Sequence, residues 1–303
     1  YLSGNQPKRN AVAAVEKQFA IPLEKKRINV GEVNLNVIFA GPKDGKPILL
    51  LHGYPEFWYA WRGVIPVLVD EGFRVIVPDQ RGYNESDKPP DARAYTLDKL
   101  AGDIDGLVDA LGYTKVFLAG HDFGGLVLWW TLLLYPNRVE KFVIINKPHP
   151  SVLRQEQDQA ETISWYRTFL LIPWLPGYVA RLGNWFLLMK NLRATSKPGT
   201  FAGSDLEQYR SAWNNDGAIH SMGAWYRANA KFDMHKDANI TAPGLYLRSA
   251  NDAFSSQQSA KKSMDFVNNT SLVELDSGTH WIIQESPELV GEYLIRHFNN
   301  PQK

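Results

Sequence analysis

One aspartate in this sequence, Asp122, has the surroundings of a catalytic nucleophile. The segment KVFLAGHDFGGLVLWW runs from a short apolar stretch through Gly120, Asp122 and Gly124 into a second apolar stretch of helical length. A side chain at the tip of a sharp strand-to-helix turn is exposed at the sheet edge, and its flanking glycines are needed because a Cβ there would clash. The layout therefore predicts a nucleophile at position 122. The alternative is an aspartate that only caps the following helix.

An aspartate in this position predicts a particular kind of covalent chemistry. Its carboxylate is already anionic at neutral pH, so it can attack an electrophilic sp3 carbon without help from a base. The product of that attack is an ester with the enzyme, which water must later hydrolyse. The chain should therefore also carry a group that activates water.

Two further residues, Asp252 and His280, fit the water-activating role. Asp252 follows the apolar run GLYLRSAN, and His280 follows TSLVELDSGT and precedes a helical pattern. The chain order nucleophile, acid, histidine is the one found in hydrolases whose nucleophile lies on such a turn. We expect His280 to take a proton from water, and Asp252 to fix the tautomer of the imidazole and stabilise the imidazolium.

The segment LLLHGYPEFWYAWR supplies the expected oxyanion hole. The backbone N–H groups of Tyr54 and Phe123 are predicted to stabilise the tetrahedral species that forms when water attacks the ester. The bond between Tyr54 and Pro55 is a candidate for the cis form, since it precedes a proline. Pro55 and Trp58 are expected to line the substrate pocket, although Trp58 and Trp61 would equally suit packing beneath a neighbouring domain.

The elements that must position these residues are short apolar runs alternating with helical patterns. The runs are PILLLHG, FRVIVPD, KVFLAGHD, KFVIINKP, GLYLRSAND and TSLVELDSGTH. Continuous apolar strands alternating with helices predict an α/β fold with a mostly parallel sheet covered on both faces, and the functional groups belong at the carboxyl ends of its strands. Before these runs, KRINVGEVNLNVIFAG has the alternation of an antiparallel hairpin.

The alternation stops over residues 148–242, where the sequence is helical in pattern and rich in Trp, Tyr and Arg. This segment is predicted to be a helical cap inserted between two strands, and its aromatic side chains suit both a pocket lid and packing onto the core. Residues 1–147 and 243–303 are then expected to form the core domain.

Composition limits the classes of partner. Lys and Arg total 33 against 32 acidic residues without long blocks of either sign, so nucleic acid and anionic membranes are not expected as partners and a small apolar molecule fits better. The absence of cysteine excludes disulfides and thiolate chemistry. No apolar run reaches the roughly 18 residues of a spanning helix. The first residues lack the apolar region of a signal peptide, which favours a cytoplasmic over an exported protein and leaves the compartment open. A monomer or a homodimer is expected.

Several motifs resemble those of the epoxide hydrolases of the α/β-hydrolase superfamily, over residues 26–298. HGYPEFWYAWR is similar to the family's H-G-x-P-E-x-W-x-x-W-R loop, DQRGYNESDKP to its D-x-R-G-Y-x-x-S-x-K-P segment, and GHDFGG to its G-H-D-W-G-G elbow. The resemblance implies an α/β-hydrolase fold that opens an epoxide with water to a vicinal diol, through an ester on Asp122 and with no metal or organic cofactor.

The same resemblance implies two tyrosines that hold the epoxide oxygen. Tyr226 in GAWYRAN matches the second of them, although Ala224 replaces the usual Asn, and Tyr166 matches the first by its distance from Pro173. A phenol can protonate an alkoxide as it forms. Phe123 stands where the family commonly has Trp, which weakens the nearest alternative, a haloalkane or haloacid dehalogenase with the same nucleophile. A non-catalytic ligand-binding protein of the same fold is a more distant alternative.

Overall fold

The computed structural model describes residues 10–159, 172, 179–181, 183–230 and 240–300. Within these ranges the central feature is one eight-stranded sheet with the strand order β1-β2-β4-β3-β5-β6-β7-β8. The strands are β1 (Leu23–Asn29), β2 (Asn34–Ala40), β3 (Pro47–Leu51), β4 (Arg74–Pro78), β5 (Val116–His121), β6 (Val139–Ile145), β7 (Gly244–Asn251) and β8 (Thr270–Thr279). The predicted α/β class and the six predicted apolar strands are confirmed.

The first two strands form the predicted antiparallel hairpin. Leu23 pairs with Ala40 at its open end, and the N–H of Val30 donates to the carbonyl of Val33 across the turn at 3.0 Å. Gly31 lies in that turn with a φ of 110°, a conformation that side chains with a Cβ rarely adopt. Strand β2 also pairs antiparallel with β4, which joins the hairpin to the rest of the sheet.

The remaining neighbours in the sheet, from β4 to β8, are all parallel. Strands β3, β4 and β5 are buried at consecutive positions, and successive side chains of a strand point to opposite faces. Both faces of the central sheet are therefore covered, as the continuous apolar runs predict. The carboxyl ends of the parallel strands lie along one edge, where Asp122, Asp252 and His280 follow β5, β7 and β8.

Helices cover the sheet and fill the connections between strands. They are α1 (Ala11–Phe19), α2 (Val64–Asp70), α3 (Leu97–Ala110), α4 (Phe123–Leu134), α5 (Pro150–Gln159), α6 (Phe186–Ala194), α7 (Gly203–Trp213), α8 (Ala218–Ala228), α9 (Gln257–Ser263), α10 (Ile282–Glu285) and α11 (Pro287–Asn299). Helix α2 packs against α11, and α3 packs against α4. Helix α4 is buried on every side over Phe123–Leu132, which explains why its sequence is apolar all round. In the described ranges, every helix lacks the length or the apolar character to cross a membrane.

Helices α5 to α8 lie between β6 and β7 in the chain, and we call the segment joining these strands the insertion. Two indole N–H groups of the insertion donate to backbone carbonyls of the sheet-forming part: Trp213 to Pro55 at 2.6 Å and Trp225 to Arg81 at 3.0 Å. Such direct hydrogen bonds from buried aromatic side chains fix the insertion over the loops that follow β3 and β4.

Candidate active site

Asp122 occupies a strained turn between β5 and α4. Its backbone has φ 51° and ψ −120°, a conformation that is rare for a residue with a Cβ. A Cβ added to Gly120 would lie 2.4 Å from the carbonyl oxygen of Gly124, and one added to Gly124 would lie 2.3 Å from that of Leu51. The structure thus confirms that the two flanking glycines are required by close backbone contacts.

The carboxylate of Asp122 has different partners on its two oxygens. Oδ1 accepts a hydrogen bond from the backbone N–H of Tyr54 at 3.0 Å. Oδ2 lies 3.2 Å from Nζ of Lys147 and 3.6 Å from Nε2 of His280. Burial acts to raise the pKa of Asp122, but the charge of Lys147 and the hydrogen bond and charge of His280 outweigh it and hold the pKa well below its ordinary value. The carboxylate is therefore ionised at neutral pH, as a nucleophile requires.

His280 and Asp252 form the second half of the site. Nδ1 of His280 lies 3.0 Å from Oδ1 of Asp252, which also accepts the N–H of Phe254 at 2.8 Å. Burial acts to lower the pKa of His280, but the charge of Asp252 and hydrogen bonds with Asp122 and Asp252 raise it to about 9. The resting imidazole is therefore protonated at neutral pH and lies between two carboxylates.

The segment after β3, residues 52–62, which we call the first loop, brings Tyr54 into contact with Asp122 and Trp58 into the wall of another cavity. The bond between Tyr54 and Pro55 is cis, and the Tyr54 N–H points at Asp122 as described. Trp58 is only 2% exposed, and its backbone N–H donates to Oδ1 of Asp79 at 3.0 Å. It lines a separate cavity of about 340 Å³ whose other walls include Asn36 and Gln208 and do not include Asp122. Its role in a substrate pocket stays a prediction.

Tyr226 lies over the elbow, and Tyr166 lies outside the described residues. The ring of Tyr226 packs edge-on against the rings of Tyr54 and Phe123, with centroids 5.1 Å and 4.9 Å away. Helix α8 therefore brings a phenol to the two residues whose N–H groups are expected to form the oxyanion hole. Phe123 begins α4, where N–H groups have no partner within the helix.

Lys147 is a member of the site that the sequence analysis missed. Besides its contact with Asp122, its ammonium lies 4.9 Å from the centroid of the Phe123 ring, at a distance typical of a cation–π interaction. A signal was available in the sequence. Strands β5 and β6 pair in parallel, with His121 opposite Ile145, so residues just after Ile145 must lie beside the elbow. The run KFVIINKP places a lysine there.

A buried polar link behind the histidine was also missed. His121 donates from Nε2 to the carbonyl oxygen of His280 at 2.7 Å, because a carbonyl can only accept. Its Nδ1 lies 3.3 Å from Oε2 of Glu56, and both side chains are fully buried. The other oxygen of Glu56 accepts the hydroxyl of Tyr209, on α7, at 3.0 Å. This link joins the insertion to the backbone of the catalytic histidine candidate.

Among the described residues, no group of three or more histidine and acidic side chains is arranged to hold a metal ion. The site as described is thus built from a carboxylate, a protonated histidine, a second carboxylate and an ammonium group.

Comparisons with known proteins identify the family to which this fold belongs. The chain matches the family described as "alpha/beta hydrolase fold" over residues 46–287. AB hydrolase superfamily protein YfhM of Bacillus subtilis (strain 168) is 36% identical over 278 residues, which cover 90% of this chain and 97% of that protein. Epoxide hydrolase 4 of Homo sapiens is 35% identical over 279 residues, which cover 88% of this chain and 76% of that protein.

The chain is also similar to solved structures of epoxide hydrolases. An epoxide hydrolase of Bacillus megaterium, solved in complex with an inhibitor, aligns with a TM-score of 0.81 at 26% identity, covering 91% of this chain and 100% of that one. A metagenomic epoxide hydrolase from a hot environment aligns with a TM-score of 0.80 at 28% identity, covering 92% and 99%. The protein therefore belongs to the epoxide hydrolase family of the α/β-hydrolase superfamily.

Proposed function

We propose that this protein hydrolyses epoxides to vicinal diols through a covalent ester on Asp122. The observation that carries the proposal is the arrangement of an ionised carboxylate at a strained elbow, with a backbone N–H on one oxygen and the His280–Asp252 pair beside the other. This arrangement suits attack on carbon followed by hydrolysis with water. The relatives named epoxide hydrolase support the substrate class.

The first step is an in-line attack of Oδ2 of Asp122 on a ring carbon. The bond from that carbon to the epoxide oxygen breaks, and its electron pair stays on the oxygen as an alkoxide. We assign to Tyr226 the donation of its phenolic proton to that oxygen, and the packing of its ring against Phe123 and Tyr54 supports this role. We assign the same role to Tyr166 on the resemblance alone.

The second step is attack of water on the ester carbonyl, with His280 as the base. Esterification removes the negative charge of Asp122, which is one of the groups that raise the pKa of His280. The imidazole can then pass its proton to the phenolate left on Tyr226 and accept a new one from the attacking water, while Asp252 holds the opposite nitrogen. The N–H groups of Tyr54 and Phe123 stabilise the oxyanion, and its collapse releases the diol and restores the carboxylate.

We further propose that residues 148–242 act as a cap over this site and that residues 1–147 and 243–303 form the core. Support comes from Trp213 and Trp225, which bond the insertion to loops beside the site, and from Tyr226, which α8 places over the elbow. The substrate would enter between the insertion and the carboxyl edge of the sheet, as is usual for open α/β sheets.

Diol formation from styrene oxide and from aliphatic and disubstituted epoxides tests the proposal. Asp122→Asn should abolish turnover, and Tyr226→Phe should reduce it at least tenfold, since general acid catalysis contributes on the order of 100-fold or more. Far-ultraviolet circular dichroism shows whether each variant is folded.

Absence of diol from every epoxide, together with halide release from organohalides, would move the protein to the dehalogenases. The indole N–H of Trp225 already donates to Arg81, so it is not directed at a halide.

A further inference from the structure

A cationic side chain lies beside the reacting oxygen, and the proposed mechanism gives it no contact with the substrate. Nζ of Lys147 is 3.2 Å from Oδ2 of Asp122, and the lysine side chain is only 16% exposed. A neutral apolar epoxide would offer this ammonium only its ring oxygen, which the proposed mechanism assigns to the tyrosines. Removing an ion from water is expensive unless it is paired, so the presence of a lysine here needs a reason.

The position of the lysine is fixed by packing. The carbonyl of Lys147 accepts the indole N–H of Trp129 at 3.1 Å, and a Cβ added to Gly125 would lie 2.8 Å from the Cβ of Lys147. The ammonium also contacts the face of the Phe123 ring. Contacts with three residues of α4 therefore hold the stem and the charged end of Lys147 beside the carboxylate of Asp122.

The charge balance of the site changes during the reaction. In the described part of the chain, Asp122 is the carboxylate within 4 Å of Lys147. When Oδ2 becomes part of an ester, Asp122 is neutral and Lys147 loses its counter-ion. The alkoxide formed in the same step could replace it only briefly, because protonation converts it to a hydroxyl. A carboxylate on the substrate would stay ionised and pair with Lys147 until the ester is hydrolysed.

The geometry of the attack also indicates where that carboxylate would be attached. In an in-line displacement the leaving oxygen lies on the far side of the attacked carbon from Oδ2, whereas the other substituents of that carbon lie to the side. Lys147, which contacts Oδ2 itself, is within reach of these substituents. Building on the proposed epoxide hydrolysis, we propose that Lys147 selects epoxides that carry a carboxylate on the attacked ring carbon. This inference replaces the apolar substrate expected from composition.

The test compares two substrates of matched shape, 3-phenyloxirane-2-carboxylate and its primary carboxamide, by kcat/KM for diol formation. The wild-type protein should prefer the carboxylate about tenfold or more. Lys147→Met should reduce that preference about ten- to hundredfold, as expected for the loss of one charge-assisted hydrogen bond, and mainly through KM. Lys147→Arg, which keeps the charge, should restore part of the preference. Lys115→Met removes an exposed lysine before β5 and should leave the ratio unchanged.

The outcomes separate this inference from the proposed function. Diol formation with equal kcat/KM for both substrates, or with a ratio that Lys147→Met does not alter, refutes the role of Lys147 and leaves the epoxide hydrolase standing. If neither these two substrates nor any neutral epoxide of the panel gives a diol, the proposed function and this inference are refuted together.

Discussion

The free energy of unfolding should fall as the pH rises from about 6.5 to about 9, and the fall should depend on His280. In the native protein His280 keeps its proton up to a pKa of about 9, whereas in the unfolded chain it releases it near 6.5. Between these values the native state binds more protons, so stability decreases with increasing pH. The contribution is fully present below pH 6.5 and is lost as the pH passes the native pKa. It amounts to about 3 kcal/mol, since each tenfold change in proton affinity is worth about 1.4 kcal/mol.

The His280→Gln variant isolates this contribution. Glutamine does not titrate, and all other groups titrate in both proteins, so the difference in stability between wild type and variant should shrink by about 3 kcal/mol from about pH 6 to about pH 9.5. Urea unfolding followed by tryptophan fluorescence at several pH values measures it. Asp122 does not interfere, because its lowered pKa affects stability only under acidic conditions. A difference that stays constant within about 1 kcal/mol across this range would show that His280 is not held protonated by its two carboxylates.

Three further perturbations have defined outcomes. His280→Gln mixed with a substrate should accumulate the ester, visible in the intact mass as protein plus one epoxide; a folded variant without added mass would count against covalent catalysis. Gly53→Ala would put a Cβ 2.6 Å from that of Asp122, so turnover should drop roughly 100-fold with the fold retained, and unaltered kcat/KM would contradict this. Arg81→Met leaves the buried Asp103, now paired at 2.5 Å, without its partner, and urea unfolding should show a loss of about 3–5 kcal/mol; a loss below about 1 kcal/mol would argue against the pair.

The sheet could be predicted from the sequence because its pattern is local. Runs such as PILLL and FRVIVP are continuously apolar, and the structure buries β3 and β4 at consecutive positions. The turn at Asp122 could be predicted in the same way. A Cβ at Gly120 or Gly124 would clash with the backbone within a few residues of Asp122 or on the adjacent strand, so both positions must be glycine. In both cases the residues that determine the local structure lie mostly within one short stretch of sequence.

Lys147 and Glu56 were missed because their roles depend on contacts between distant parts of the chain. Lys147 reaches Asp122 only because β6 lies next to β5 in the sheet, and Glu56 contacts His121 and Tyr209 from two other elements. The raised pKa of His280 could not be predicted for the same reason. It depends on two carboxylates, Asp122 and Asp252, which follow two other strands of the sheet. For Trp58 the sequence left two roles open, because nothing local distinguishes an aromatic residue that lines a substrate pocket from one that packs elsewhere, and the structure shows only that it lines a cavity.

The connection between β6 and β7 has a consequence for engineering and for evolutionary change. These strands pair directly, from Phe142 opposite Gly244 to Ile145 opposite Leu247, so their register is set by the sheet and not by the chain that runs between them. The insertion can therefore be treated as an exchangeable module. A chimera that carries a foreign insertion should keep its sheet, provided that the graft supplies the hydrogen bonds that Tyr209 and Trp213 now donate to the first loop. Substrate range could then diversify by module exchange while Asp122, Asp252 and His280 stay constant, as long as the new module also supplies a phenol in place of Tyr226.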